Sequence, residues 1–189
     1  MLSTVIVIVV VVVLALWAIA IYNRLVRLRA LVKEGFSGIT VQLRRRADLV
    51  PNLVSTVQGY AAHEKTVLED VTAHRADATS ASTVAATAQA DTAFTGMLGR
   101  LMAVAEAYPN LKADANFRQL QTELADIEEQ LQSARRYYNA TVRDLNASIQ
   151  SFPNVLFARP LGFSEAEFYA DDDASIQTAP KVEFPSAQG

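Results

Sequence analysis

Cysteine is absent from the 189-residue chain, and histidine occurs only twice, at His63 and His74. Without cysteine there is no disulfide, no thiolate nucleophile and no thiolate metal site, and the redox compartment is left open. Two histidines argue against a multi-histidine metal centre. They lie about 16 Å apart along a helix, too far to share one ion. Excess positive charge is lacking as well: the formal net charge is −3, which argues against a generic nucleic-acid binder. Neither G-x-S-x-G, a P-loop, G-x-G-x-x-G nor an EF-hand loop is present. His63-Glu64-Lys65 does not extend to the H-E-x-x-H zinc motif, because residue 67 is Val. No catalytic residue, cofactor or metal ligand is therefore expected, and the length fits one domain.

What the chain has in plenty is apolar surface at one end. Val5 to Tyr22 is an unbroken apolar run of eighteen residues that includes Val9–Val13. As a helix it would measure ~27 Å, close to the ~30 Å hydrocarbon core of a bilayer. In lipid an unpaired amide costs several kcal/mol, so a valine-rich segment is driven into a helix there. A cleaved signal peptide would carry a basic stretch before the run, which is missing. Arg24, Arg27, Arg29 and Lys33 follow it instead, a stop-transfer pattern and candidate contacts to anionic headgroups. Residues 1–50 hold seven Arg/Lys against two Asp/Glu, and the remainder is acidic. The positive-inside rule then predicts a single-pass anchor over residues 1–22, with the N-terminus outside and the rest in the cytoplasm.

Beyond the anchor the apolar period is helical throughout. Leu25, Leu28, Val32, Phe36, Ile39 and Leu43 form one stripe, which resumes as Val50, Leu53, Val57, Tyr60, Glu64, Val67 and Val71. This predicts one helix running from the span into the Ala/Ser/Thr-rich stretch near residue 76. Pro51 cannot donate to the carbonyl of Ala47, so a continuous, kinked helix is expected there, with Asn52 taking the freed carbonyl. Gly35, Gly38 and Gly59 each weaken the helix by ~1 kcal/mol and call for tight packing in return. A second helix is predicted from Val84 to Ala107 after a turn within Asp77–Ser82, stopped by Tyr108-Pro109-Asn110. The third has the strongest pattern: Phe117, Leu120, Leu124, Ile127, Leu131, Ala134, Tyr138, Thr141, Leu145, Ser148 and Phe152 repeat at 3, 4 spacing over roughly 36 residues. Asn116 with Gln119 reads as its capping box and Phe152-Pro153 as its end. An all-α fold follows: a transmembrane helix, then an antiparallel, three- to four-helix, up-and-down-like bundle over residues 23–152. A coiled-coil homo-oligomer would give the same period. Residues 153–170 read as an apolar loop packed over the bundle end, with Ser164 and Glu167 capping a short helix. Interfacial membrane contact is the alternative for Phe152, Phe157, Leu161 and Phe163. Residues 171–189 read as an acidic tail.

Few polar residues stand out. Glu64 lies on the apolar stripe, which suggests a buried ion pair with an arginine. Arg44, Arg45 and Arg46 with Pro51 and Asn52 form a candidate hinge or partner-binding patch; the alternative places one or two of the arginines in salt bridges inside the bundle.

Arg44-Arg45-Arg46-Ala47-Asp48-Leu49-Val50-Pro51-Asn52-Leu53-Val54, Gly59-Tyr60-Ala61-Ala62-His63-Glu64, Ala107-Tyr108-Pro109-Asn110-Leu111-Lys112-Ala113 and Ala134-Arg135-Arg136-Tyr137-Tyr138-Asn139 occur in that order. With Ser151-Phe152-Pro153-Asn154 and Ala179-Pro180-Lys181-Val182-Glu183-Phe184 they resemble the bacterial LemA family across essentially the whole chain. The resemblance implies a four-helix bundle on a single-pass anchor in the bacterial inner membrane, and a TPM-domain protein as partner. It implies no catalytic residues. A non-enzymatic scaffold or assembly protein is the expectation; a membrane-bound hydrolase or its regulatory subunit, and a membrane-remodelling oligomer, are the alternatives.

Overall fold

The computed structural model describes residues 1–61 and 63–169; the expected acidic tail, 171–189, lies outside the described residues. The elements are α1 (Leu2–Tyr60), α2 (Lys65–Ser80), α3 (Val84–Glu106), α4 (Pro109–Ala113), α5 (Ala115–Gln150) and α6 (Asn154–Phe157), with no strand among the described residues. The first twenty residues of the chain are all exposed. Their mean hydropathy is 3.3 and none of that apolar window is buried, so the segment is long and apolar enough to cross a membrane.

From Leu25 onward the same helix becomes a bundle element without a break. Leu25, Val32, Ile39, Leu43, Val50, Leu53 and Val57 are buried along one stripe, as their spacing requires. The helix passes through Pro51 intact. It ends at Tyr60, earlier than its stripe implies, and α2 begins only at Lys65. Val67 and Val71 thus belong to a separate, descending helix: a stripe that keeps its period across a short turn conceals the turn. Glu64 is the N-cap position of α2 and half-buried, with no buried arginine beside it.

α1 and α5 are the two long rods and run antiparallel. Tyr60 Oη donates to Asp114 Oδ2 (3.1 Å), Arg46 bonds Glu128, and Phe36 meets Tyr138 with ring centroids 6.0 Å apart. Equal steps down one helix are thus matched by equal steps up the other. Gly35 lets them close: a Cβ there would lie 3.1 Å from Tyr138 Cα, whereas Gly38 and Gly59 face open space. The tight packing expected at all three glycines occurs only at Gly35.

α2 descends beside α1 and α3 ascends again, completing an up-down-up-down set with α5. Their turn falls at Ala81–Thr83, where Thr83 Oγ1 accepts the Ala86 amide as N-cap. α3 matches its expected span. α4, one short turn after Tyr108, has no counterpart in the expected elements. α5 has the expected 36 residues, but its cap is Asp114, which accepts the Phe117 amide at 2.9 Å, and not Asn116. Phe152 falls off the stripe and is 81% exposed, because α5 ends at Gln150 before reaching it.

The core divides in two. The distal cluster gathers Val50, Leu53, Val57, Leu68, Val71, Phe94, Leu98, Leu101, Leu111 and Phe117 from five helices. The proximal cluster, nearer the apolar end, is built mainly from α1 and α5: Leu25, Val32, Ile39, Leu43, Leu131, Tyr138, Val142 and Leu145. Here, among the described residues, α2 contributes nothing and α3 only its first turns, through Ala88 and Val84, and residues 163–169 fill the gap. They do not form the expected Ser164-capped helix; they are non-helical and run back along α5. Asn146 and Asn139 hold them, each side chain making two bonds to one residue's backbone. Asn146 engages Ala166 (2.9 and 2.8 Å) and Asn139 engages Tyr169 (3.2 and 2.9 Å). The spacing explains the fit: seven helical residues rise ~10.5 Å, and three extended residues span ~10 Å. Phe163 and Tyr169 are buried at the two ends of this strap.

Candidate functional site

Between the two apolar clusters lies a layer of buried charge, which is the candidate site. Arg46 occupies a seam position of α1 between Leu43 and Val50, and Asp91 holds the equivalent position of α3, one turn before Phe94. Their exposures are 0% and 1%. Arg46 Nη2 donates to Asp91 Oδ1, and Arg135 Nη2, from α5, donates to Asp91 Oδ2. Tyr169, at the end of the strap, donates its hydroxyl to the same Oδ2 at 2.8 Å. Arg46 Nη1 reaches Thr95 Oγ1 (3.1 Å) and both carboxylate oxygens of Glu128 (3.2 and 3.0 Å). The guanidinium faces are covered too, Arg46 over the Phe94 ring at 5.1 Å and Arg135 over Tyr169 at 5.5 Å. Three helices and the strap converge on one carboxylate.

Electrostatics and burial act on Arg135 and Tyr169. Burial works against the Arg135 charge, but the Asp91 carboxylate and its hydrogen bond outweigh it and raise the guanidinium above its ordinary value. Burial, then the Asp91 charge and hydrogen bond, push the Tyr169 hydroxyl strongly upward, so it stays a neutral donor. Two arginines face two carboxylates, so the formal charges match in number. A general base needs a carboxylate with a lone pair open to substrate. Asp91 instead accepts from three donors at 1% exposure. This layer is built to hold elements together.

The candidate residues from the sequence fall into separate places. Arg46 alone of the arginine triplet enters the charge layer. Arg44 and Arg45 are exposed and line, with Ser37, Thr40 and Asp48, a cleft of about 490 Å³ against the α2–α3 turn. Pro51 and Asn52 are both exposed. The carbonyl that Pro51 frees, on Ala47, is taken by Arg75 of α2 (Nε to O, 2.7 Å), and Asn52 does not serve it. Arg75 also pairs with Asp48 at 3.6 Å. Glu64 lies in the α1–α2 turn, beyond the end of α1 and ~20 Å or more along that helix from Arg46. A cleft shared by Glu64 and the arginines is not formed. His63 is exposed in the same turn and His74 lies on α2; among the described residues no group of metal-ligating side chains is assembled. Arg24, Arg27, Arg29 and Lys33 are all exposed just past the apolar segment, Arg29 lying 4.9 Å over the Phe163 ring.

Sequence reasoning missed Asp91, Arg135 and Tyr169. The signal for Asp91 was present: with Phe94, Leu98, Leu101 and Ala105 it continues the α3 stripe, an acid at an apolar position. Arg46 likewise interrupts the α1 stripe. An acid and a base at seam positions of two packed helices mark a buried pair. Tyr169 carried no such signal, since the strap has no period.

Comparison with known proteins gives consistent likenesses. The model of the LemA family matches residues 35–184. Magnetosome protein MamQ of Magnetospirillum gryphiswaldense is 25% identical over 179 residues, covering 81% of this chain and 66% of that protein. MamQ 2 of Paramagnetospirillum magneticum is 26% identical with the same coverage. Protein LemA of Metamycoplasma hominis is 27% identical over 156 residues, covering 79% of this chain and 69% of its own. The chain thus spans just under two thirds of the length of the magnetosome relatives.

Proposed function

The chain belongs to the LemA family, and from that premise we propose that it is a membrane-anchored, non-enzymatic scaffold that holds a rigid helical bundle off the bilayer for partner binding or self-association. What carries this reading is the course of α1, 59 residues in one helix from the apolar segment through Pro51 to the far end of the bundle. A helix with no flexible joint transmits position, as a scaffold requires. The closed charge layer agrees with it, since its acids are consumed by structural bonds. Relatives named for a cellular structure, the magnetosome, and not for a reaction point the same way.

In this reading Arg24, Arg27, Arg29 and Lys33 meet anionic headgroups at about 1 kcal/mol each, and the positive charges after the span orient the bundle to the cytoplasm across the bacterial inner membrane. Arg44 and Arg45, exposed beside the α2–α3 turn, are the partner-facing residues of the triplet. A TPM-domain protein is the partner to test first.

Crosslinking in native membranes tests the scaffold: recovery of defined adducts, weakened by an Arg44→Glu, Arg45→Glu double variant, is expected. Recovery of isolated monomers alone would overturn it. For orientation, Ser3→Cys and Ser186→Cys are probed in intact cells with a membrane-impermeant thiol reagent. Labelling of position 3 and not 186 is expected, and the reverse would refute the topology.

A further inference from the structure

The seam of α1 that packs the bundle does not stop where the apolar run begins. Leu25, Ile21, Ala18 and Leu14 continue it downward at spacings of 4, 3 and 4, inside the segment that reads as the span. The returning chain follows in register: Trp17 meets Phe157, ring centroids 6.4 Å apart, and Tyr22 meets Phe163 at 5.6 Å. Leu14, Trp17, Ala18 and Ile21 therefore line an apolar groove of about 410 Å³ with Phe157, Pro160 and Leu161. Trp17 lies ~7.5 Å along the helix below Tyr22, and Leu14 ~12 Å. An element that touches them is at hydrocarbon depth wherever the span crosses the bilayer.

Its surface has the chemistry for that depth. Phe152, Val155, Leu156, Phe157 and Leu161 are all exposed, from 45% to 81%. Elsewhere among the described residues beyond the span, exposed large apolar side chains stand singly, at Val41, Tyr60, Tyr137 and Phe168. A contiguous cluster of five calls for a partner. Much of the backbone is bonded internally too. The amides of Val155, Leu156, Ala158, Leu161, Gly162 and Phe163 each donate to a carbonyl within residues 151–159, and Asn154 Nδ2 donates to Ser148 O at 2.8 Å. Unsatisfied amides are what exclude loops from hydrocarbon. Arg159 is exposed in the same loop, and its long apolar stem allows the charge to snorkel toward the interface.

We propose that α6 and its flanking turns, residues 152–161, form an apolar foot immersed in the leaflet beside the span, with lipid acyl chains occupying the groove against Leu14–Ile21. This rests on the anchor reading above. The bundle base is then clamped to the bilayer at two places, the helix and the foot.

The cysteine-free chain allows a direct test. Full-length Leu156→Cys, Val9→Cys and Arg136→Cys variants carry a nitroxide in phosphatidylethanolamine/phosphatidylglycerol vesicles, and collisions with oxygen and with a water-soluble nickel chelate are compared. The Leu156 label is expected to match Val9, rich in oxygen and several-fold poorer in nickel than Arg136, at every protein-to-lipid ratio. Nickel access at Leu156 with oxygen dominance at Val9 would overturn the foot and leave the anchor standing. Shielding of Leu156 from both agents, increasing with protein density, would place a second copy on the patch and also overturn it. Nickel access at Val9 itself would remove the anchor and the foot with it.

Discussion

The distal half of the bundle is four long helices and the short α4 around an apolar core; the proximal half is mainly two of those helices, touched by the start of α3 and closed by an extended strap. α1 and α5 are common to both, and only their partners change. Where α2 and α3 supply aliphatic stripes, contact is made by Leu68, Val71, Phe94, Leu98 and Leu101. Where they end, the substitute is a backbone, which brings amides and carbonyls that must be bonded. Asn139 and Asn146 meet that demand on α5, and the Arg46–Asp91–Arg135–Tyr169 layer sits at the change of partner. Polar residues enter this core where helix-on-helix packing gives way to something else.

Removing the joint should have the largest effect. Asp91→Ala removes the carboxylate that Arg46 and Arg135 share, leaving Glu128 on Arg46 as the one acid for two guanidinium groups, and is expected to cost ~3–5 kcal/mol. Urea unfolding in detergent micelles checks this; a loss below ~1 kcal/mol would mean the halves do not depend on the layer. Next is the strap. Asn146→Ala deletes two hydrogen bonds and should cost ~1–2 kcal/mol, seen as faster amide exchange at Ala166 and Tyr169 with unchanged protection around Leu101. Equal loss of protection in both halves would contradict a separable proximal closure.

Smaller still, Gly38→Ala should stabilise by ~1 kcal/mol, since nothing lies within 4 Å of its new Cβ. Gly35→Ala should lower the melting temperature, because Tyr138 backbone stands 3.1 Å from the added carbon. Matching signs would put the close approach of α1 and α5 elsewhere. The dependence on pH is tested by Tyr169→Phe. The folded Tyr169 value is raised above the ordinary 10.0, so its contribution is fully present below pH 10 and lost as pH rises through the folded value. Alkaline loosening of the strap, followed by exchange at 166–169, should therefore weaken its dependence on pH in Tyr169→Phe.

The long periodic elements are legible in the amino-acid sequence alone: the apolar span, the passage through Pro51, the start of α3 at Val84 and the length of α5. Each rests on local pattern, the level at which sequence and structure are closest. What the pattern hid were breaks that preserve its phase, as between Tyr60 and Lys65, and competing caps, as when Asp114 took the role read for Asn116. The strap was illegible because its partners, Asn139 and Asn146, look like ordinary solvated positions of a helix. Within the charge layer Arg46 and Asp91 betray themselves by lying on apolar stripes, whereas Arg135 lies beside one and Tyr169 follows no period.

The uninterrupted α1 also acts as a lever. About 38 residues separate Tyr22 from Tyr60, an arm of ~57 Å. A change of about 10° in the tilt of α1 would swing the α1–α2 turn sideways by ~10 Å. Any small rotation at the apolar end is thus enlarged at the far tip.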